Sequence, residues 1–121
     1  MAKRVLIVED DPQVRSILCR QLEASGYEPQ AVGSGEHALV IAASEPPAAI
    51  VLDVNLPGID GFETLERLRA NPVTSRLGVV ILSGQHSDDQ VIRGYAGGCS
   101  YYVPKPYRLS DLLRGLEMAM S

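Results

Sequence analysis

The chain has 121 residues, 45% hydrophobic and 21% charged, with a formal net charge of −4. That length suits one domain, 1–121, and the composition is that of a packed globular core, which excludes a disordered tail and a disulfide-stapled miniprotein. The acidic balance is the wrong sign for an electrostatic grip on nucleic acid.

In chain order, Val5-Leu6-Ile7-Val8 reads as a fully buried parallel strand, β1, ending at Glu9-Asp10-Asp11-Pro12. Asp11 before Pro12 is a helix start, and Val14, Leu18 and Leu22 recur at helical spacing (α1) until Ser25-Gly26. A strand from Tyr27 to Val32 (β2) and a helix from Gly35 to Ser44 (α2) follow. After Pro46-Pro47 comes a strand from Ala49 to Asp53 (β3). A Pro-Gly loop leads to a helix from Gly61 to Ala70 (α3), then the buried strand Val79 to Leu82 (β4). A helix from Asp88 to Ala96 (α4) contains Gly94 and stops at Gly97-Gly98. Tyr101 to Val103 (β5) and Ser110 to Met120 (α5) complete five βα units.

Alternation of this kind predicts an α/β fold, a doubly wound five-stranded parallel sheet with five helices on its two faces. The strand order 2-1-3-4-5 is that of the flavodoxin-like class, adopted by analogy because the residues alone leave it open. No apolar run nears the ~20 residues that cross a bilayer, and the N-terminus carries no apolar signal region, so a cytoplasmic protein with no membrane contact is expected. Cys19 and Cys99 read as reduced thiols, and His37 and His86 as surface residues.

Ligands of open parallel sheets sit at the carboxyl ends of the strands. There β1 delivers Glu9 and Asp10, β3 delivers Asp53, β4 delivers Ser83, and the segment after β5 delivers Lys105. Each alone reads as a loop, cap or surface residue, and Asp11 is taken as a cap. Together, three carboxylates at one edge repel one another unless a cation joins them, and hard oxygen donors suit Mg²⁺ better than zinc.

Val8-Glu9-Asp10, Leu52 through Gly61, Ile81-Leu82-Ser83-Gly84 and Tyr102 through Tyr107 together resemble the four motifs of response-regulator receiver domains, in order and at the family's spacing. The resemblance implies that Asp53 is the phosphoacceptor, Asp10 a direct Mg²⁺ ligand, and Glu9 a second acid acting through water. It implies that Asn55 offers its backbone carbonyl to the metal, and that Ser83 and Lys105 contact the phosphoryl group, with Gly84 leaving room. Tyr102 matches the switch aromatic, expected to turn from solvent into the space opened when Ser83 moves inward. A cis Lys105-Pro106 peptide is also implied, as are a histidine kinase or histidine phosphotransfer protein upstream and an effector protein or domain downstream.

Pro104 departs from the family pattern and is tolerable only if its missing N–H faces outward from an edge strand. Tyr101 adds an aromatic of open orientation. Three other readings stay open. A haloacid-dehalogenase-type phosphatase would need an acid where Asn55 stands, and a flavin module a phosphate-binding loop where Glu9-Asp10-Asp11 stand. A receiver that signals without phosphorylation would not need the full set of polar groups. Gly94, Gly97 and Gly98 lower helix stability, so α4 is expected to be the most mobile helix.

Overall fold

The computed structural model describes residues 2–121. Its elements are β1 (Arg4–Val8), α1 (Pro12–Ala24), β2 (Glu28–Val32), α2 (Gly35–Ser44), β3 (Ala49–Leu52), α3 (Gly61–Ala70), β4 (Gly78–Ser83), α4 (Asp88–Ala96), β5 (Tyr101–Pro104) and α5 (Leu109–Met120). All strand pairs are parallel, in the order β2-β1-β3-β4-β5. The expected architecture is therefore present, with ends displaced by a residue or two. Asp53 lies just past β3, not within it.

Side chains of a strand alternate between the two faces of the sheet, and here the two faces carry two separate cores. Val5, Ile7, Val51, Val80, Leu82 and Val103 pack against Leu18 and Leu22 of α1 and Leu112 and Leu116 of α5. Leu6, Val8, Ile50, Leu52, Val79 and Ile81 pack on the other face with Ala38 and Ala42 of α2 and Phe62, Leu65 and Leu68 of α3. Because β1, β3 and β4 are buried on both faces, they read as continuous apolar runs. Each fully buried aliphatic contributes about 1.5–3 kcal/mol.

The helix starts follow from local chemistry. Asp11 accepts from the Gln13 amide at 2.9 Å with Pro12 in the first turn, Ser34 caps α2, and Asp60 caps α3. Gly58 has φ +74° and lies against the Glu36 carboxylate, which accepts from the Ile59 amide at 3.2 Å and ties the β3–α3 loop to α2.

Both edge strands carry a proline on the side facing away from the sheet. In β2 the Glu28 amide donates inward to Lys3, which turns the position of Pro29 outward. In β5 the Lys105 amide donates inward to Ser83, which turns Pro104 outward, as its tolerance required. The remaining outward amide of β5, that of Tyr102, donates to the Tyr95 phenol of α4 at 3.2 Å. The edge is thus left with little to offer another strand. The Tyr101 side chain packs on the α5 side, against Gly115.

Candidate functional site

The ladder hydrogen bonds run one residue past the strands and hold the functional residues by their backbones. Glu9 N–H donates to Val32 at 3.0 Å, Asp53 N–H to Val8 at 3.0 Å, and Lys105 N–H to Ser83 at 2.8 Å. Gly61, the first residue of α3, allows close approach on the far side: a Cβ there would lie 2.3 Å from the Asp53 carbonyl oxygen. Asp53 is therefore fixed between β1 and the start of α3.

The side chains converge as the strand ends predict. Glu9, Asp10 and Asp53 each place a carboxylate oxygen within 4.8 Å of the others'. Lys105 Nζ donates to Glu9 Oε1 at 2.9 Å and stands 3.7 Å from Asp53 Oδ2. Glu9 Oε2 accepts from the Asp11 amide at 3.2 Å, and Asp53 Oδ1 from the Asn55 amide at 3.4 Å. Glu9 and Asp53 are buried, whereas Asp10 is exposed at the mouth. The Lys105-Pro106 peptide is cis.

Burial, then the charge of Glu9, pushes the Asp53 carboxyl up to about 6, with Lys105 opposing the rise. Burial would also raise Glu9, but the Lys105 hydrogen bond and the Asp11 amide hold it below its ordinary value. Asp10 is raised, chiefly by its hydrogen bond with Glu9 and then by burial. Burial would lower Lys105, yet the two carboxylates it faces raise it. Three acids against one lysine leave an excess of negative charge on hard oxygen donors, a set that fits a divalent cation such as Mg²⁺.

Ser83 is fully buried and accepts from the Gln85 amide at 3.0 Å, leaving its own proton to be donated elsewhere. A Cβ at Gly84 would meet nothing within 4 Å, so the space beside the hydroxyl is open. Above the cluster a cleft of about 440 Å³ is lined by Asp10, Asn55, Asp60, Gln85, Gln90 and Arg93. A larger groove of about 810 Å³ between α3 and α4 contains no member of the Glu9, Asp10, Asp53 cluster. Size alone does not locate the chemistry.

Tyr102 departs from expectation. Its ring already faces inward, 7% exposed, and its hydroxyl donates to the Gln85 carbonyl. Room for it comes from Gly94, where a Cβ would lie 2.9 Å from the ring. Gly94 therefore admits the aromatic as well as weakening α4, and α4 buries no residue but that glycine. Sequence reasoning also passed over Arg15, whose guanidinium reaches the Glu9 and Asp10 carbonyls, and Tyr95, because both read as residues of solvated helix faces. Cys99 is buried and its thiol is pushed up to about 11 by that burial, as befits an inert core group.

Residues 5–117 match the family described as the response regulator receiver domain. The response regulator MprA of Mycolicibacterium vanbaalenii is 37% identical over 113 residues, which are 93% of this chain and 48% of that protein. The chain thus spans about half the length of the curated relatives it matches. Among solved structures, a response regulator of Chloroflexus aurantiacus superposes with TM-score 0.94 at 33% identity, covering 99% of this chain and 98% of that one. The receiver domain of the sensor histidine kinase PA1611 of Pseudomonas aeruginosa, solved with a magnesium ion coordinated in its active-site cleft, has TM-score 0.91 at 25% identity, covering 99% of this chain and 98% of that one.

Proposed function

The chain belongs to the response regulator receiver domain family of two-component signalling, and from that premise we propose that Asp53 is its phosphoacceptor, in a Mg²⁺-assisted reaction. The observation that carries this is the buried Asp53 carboxylate held against Glu9, Asp10 and Lys105, beside a cleft that Asp10, Val54 and Asn55 line. Asp10 and Asp53 would supply carboxylate ligands, the Asn55 carbonyl a neutral one, and Glu9 would act through water. When bound, Mg²⁺ supplies neutralisation of the charge that develops on the phosphoryl oxygens.

Asp53 attacks the phosphorus of a phosphohistidine or an acyl phosphate. The new O–P bond forms as the donor's N–P or O–P bond breaks; a histidine leaving group is balanced by a proton from solvent, and the carboxylate of an acyl phosphate leaves as the anion. The Lys105 ammonium and the Ser83 hydroxyl bind two of the transferred oxygens. Water later cleaves the acyl phosphate, returning Asp53 and inorganic phosphate. The chain acts as a signalling acceptor that promotes its own phosphorylation and dephosphorylation, and not as an enzyme acting on a separate substrate.

The switch runs through Gln85. Its amide donates to Ser83 and its carbonyl accepts from Tyr102, so drawing Ser83 to a phosphoryl oxygen pulls on both. A charge-assisted hydrogen bond of about 1.5–3 kcal/mol shifts a two-state population roughly ten- to a hundredfold toward one arrangement of the α4, β5 and α5 surface. The inward Tyr102 is one of those two arrangements. Residues 1–121 form one receiver domain, cytoplasmic, phosphorylated by a histidine kinase or phosphotransfer protein and read by an effector protein or domain. Among the described residues no helix is long and apolar enough to cross a membrane.

The test is incubation with an acyl phosphate and Mg²⁺, with and without chelator, followed by hydroxylamine trapping and peptide mapping. A Mg²⁺-dependent, hydroxylamine-sensitive label on the Asp53 peptide is expected. A label elsewhere, or one indifferent to chelator, overturns the assignment.

A further inference from the structure

Arg15, in the first turn of α1, is half-buried and points back under the β1–α1 turn. Its Nη1 donates to the carbonyl of Glu9 at 2.8 Å and to that of Asp10 at 3.0 Å. The Glu9 amide is held from the other side by the Val32 carbonyl at 3.0 Å, so the Glu9 backbone is fixed at both donor and acceptor and that of Asp10 at its carbonyl. The guanidinium itself is backed by the β2–α2 loop. A Cβ at Gly33 would stand 3.1 Å from Nη1, so a side chain there would push the nitrogen by a few tenths of an ångström.

We propose that Arg15 is a positioning residue that holds the Glu9-Asp10 turn in the geometry a divalent cation needs, an assignment that rests on the Mg²⁺ reading of this site. Charge and position act in opposite directions here. A guanidinium held on the backbone carbonyls of the two acidic residues repels an incoming cation, so if its charge were its main effect, removing it would tighten Mg²⁺ binding. If its hydrogen bonds hold the turn, removing it loosens both carboxylates and weakens binding, as loss of a group supporting metal ligands does.

The experiment is a Mg²⁺ titration of the full chain, followed by the tyrosine signal and by the metal-induced rise in melting temperature, for wild type and Arg15→Met. Methionine keeps the aliphatic stem and removes the donors and the charge. The expected result is a dissociation constant raised about tenfold, with the phosphorylation rate restored at saturating Mg²⁺. An unchanged or lowered dissociation constant overturns the proposal, including when the metal-free melting temperature falls, since that would be a merely structural role. If Arg15→Met does not fold, Gly33→Ala, whose methyl crowds the same nitrogen, is judged by the same two outcomes. A wild type with no Mg²⁺ response overturns the metal site and this assignment together. A responsive wild type with an unaltered variant overturns this assignment alone.

Discussion

Asp53→Asn should make the metal-free protein more stable above about pH 7 while abolishing its phosphorylation. Asp53 is 7% exposed, and its folded carboxyl is pushed up from 3.8 to about 6. The proton therefore favours the folded state: the group's penalty is absent below the unfolded value of 3.8, builds as pH rises from there to about 6, and is complete above it. The full span corresponds to about 3 kcal/mol, and solvent at the cleft mouth screens it to roughly 1–2 kcal/mol. For a chain of this length each kcal/mol moves the melting temperature by about 4 °C, so the variant should melt some 4–8 °C higher than wild type in chelator. The difference should shrink as pH falls through about 6 and vanish near pH 4. Millimolar Mg²⁺ should stabilise wild type more than the variant, because the cation needs the charge that the amide lacks. Equal melting temperatures in chelator at neutral pH, or a difference that persists undiminished in acid, would refute the reasoning.

Lys105→Met removes the cation that faces Glu9 at 2.9 Å and Asp53 at 3.7 Å. It should tighten Mg²⁺ binding severalfold while slowing phosphorylation at saturating metal by at least about tenfold, and calorimetry with single-turnover labelling will show whether the two move apart. In Ser83→Ala the amide-exchange response of α4 and β5 to phosphorylation should fall well below that of wild type, and equal responses would break the link from Ser83 through Gln85 to Tyr102. Gly94→Ala gains up to about 1 kcal/mol of helix propensity, but its methyl would lie 2.9 Å from the Tyr102 ring. It should drive Tyr102 outward, and ring NMR shifts like those of wild type would contradict this.

The central strands and the acid cluster were legible in the sequence for one physical reason. A parallel sheet buried on both faces writes itself as runs such as Val5-Leu6-Ile7-Val8 and Val79-Val80-Ile81-Leu82, and the residue after each run must emerge at the carboxyl edge. Glu9, Asp53 and Lys105 thereby share that edge, and the strand order taken by analogy makes them neighbours on it. Pro104 was informative because a proline in a strand has few permitted positions, and Pro29 carries the same signal for β2. What stayed hidden depends on geometry across elements. Whether Tyr102 points in or out is decided by the missing Cβ of Gly94, which belongs to a different element but lies against the ring in space. Arg15 stands at a position whose pattern suits a solvated helix face, and nothing in its spacing announces that its fork turns back onto two carbonyls. The roles of Ser83, Asn55 and Tyr102 came from resemblance to receiver domains and not from periodicity.

The most direct test of the account is intact mass after exposure to an acyl phosphate and Mg²⁺, with wild type and Asp53→Asn treated side by side. A single phosphoryl adduct on wild type and none on Asp53→Asn is the predicted result. An unmodified wild type, or an equal adduct on the variant, would contradict the assignment of Asp53 as acceptor.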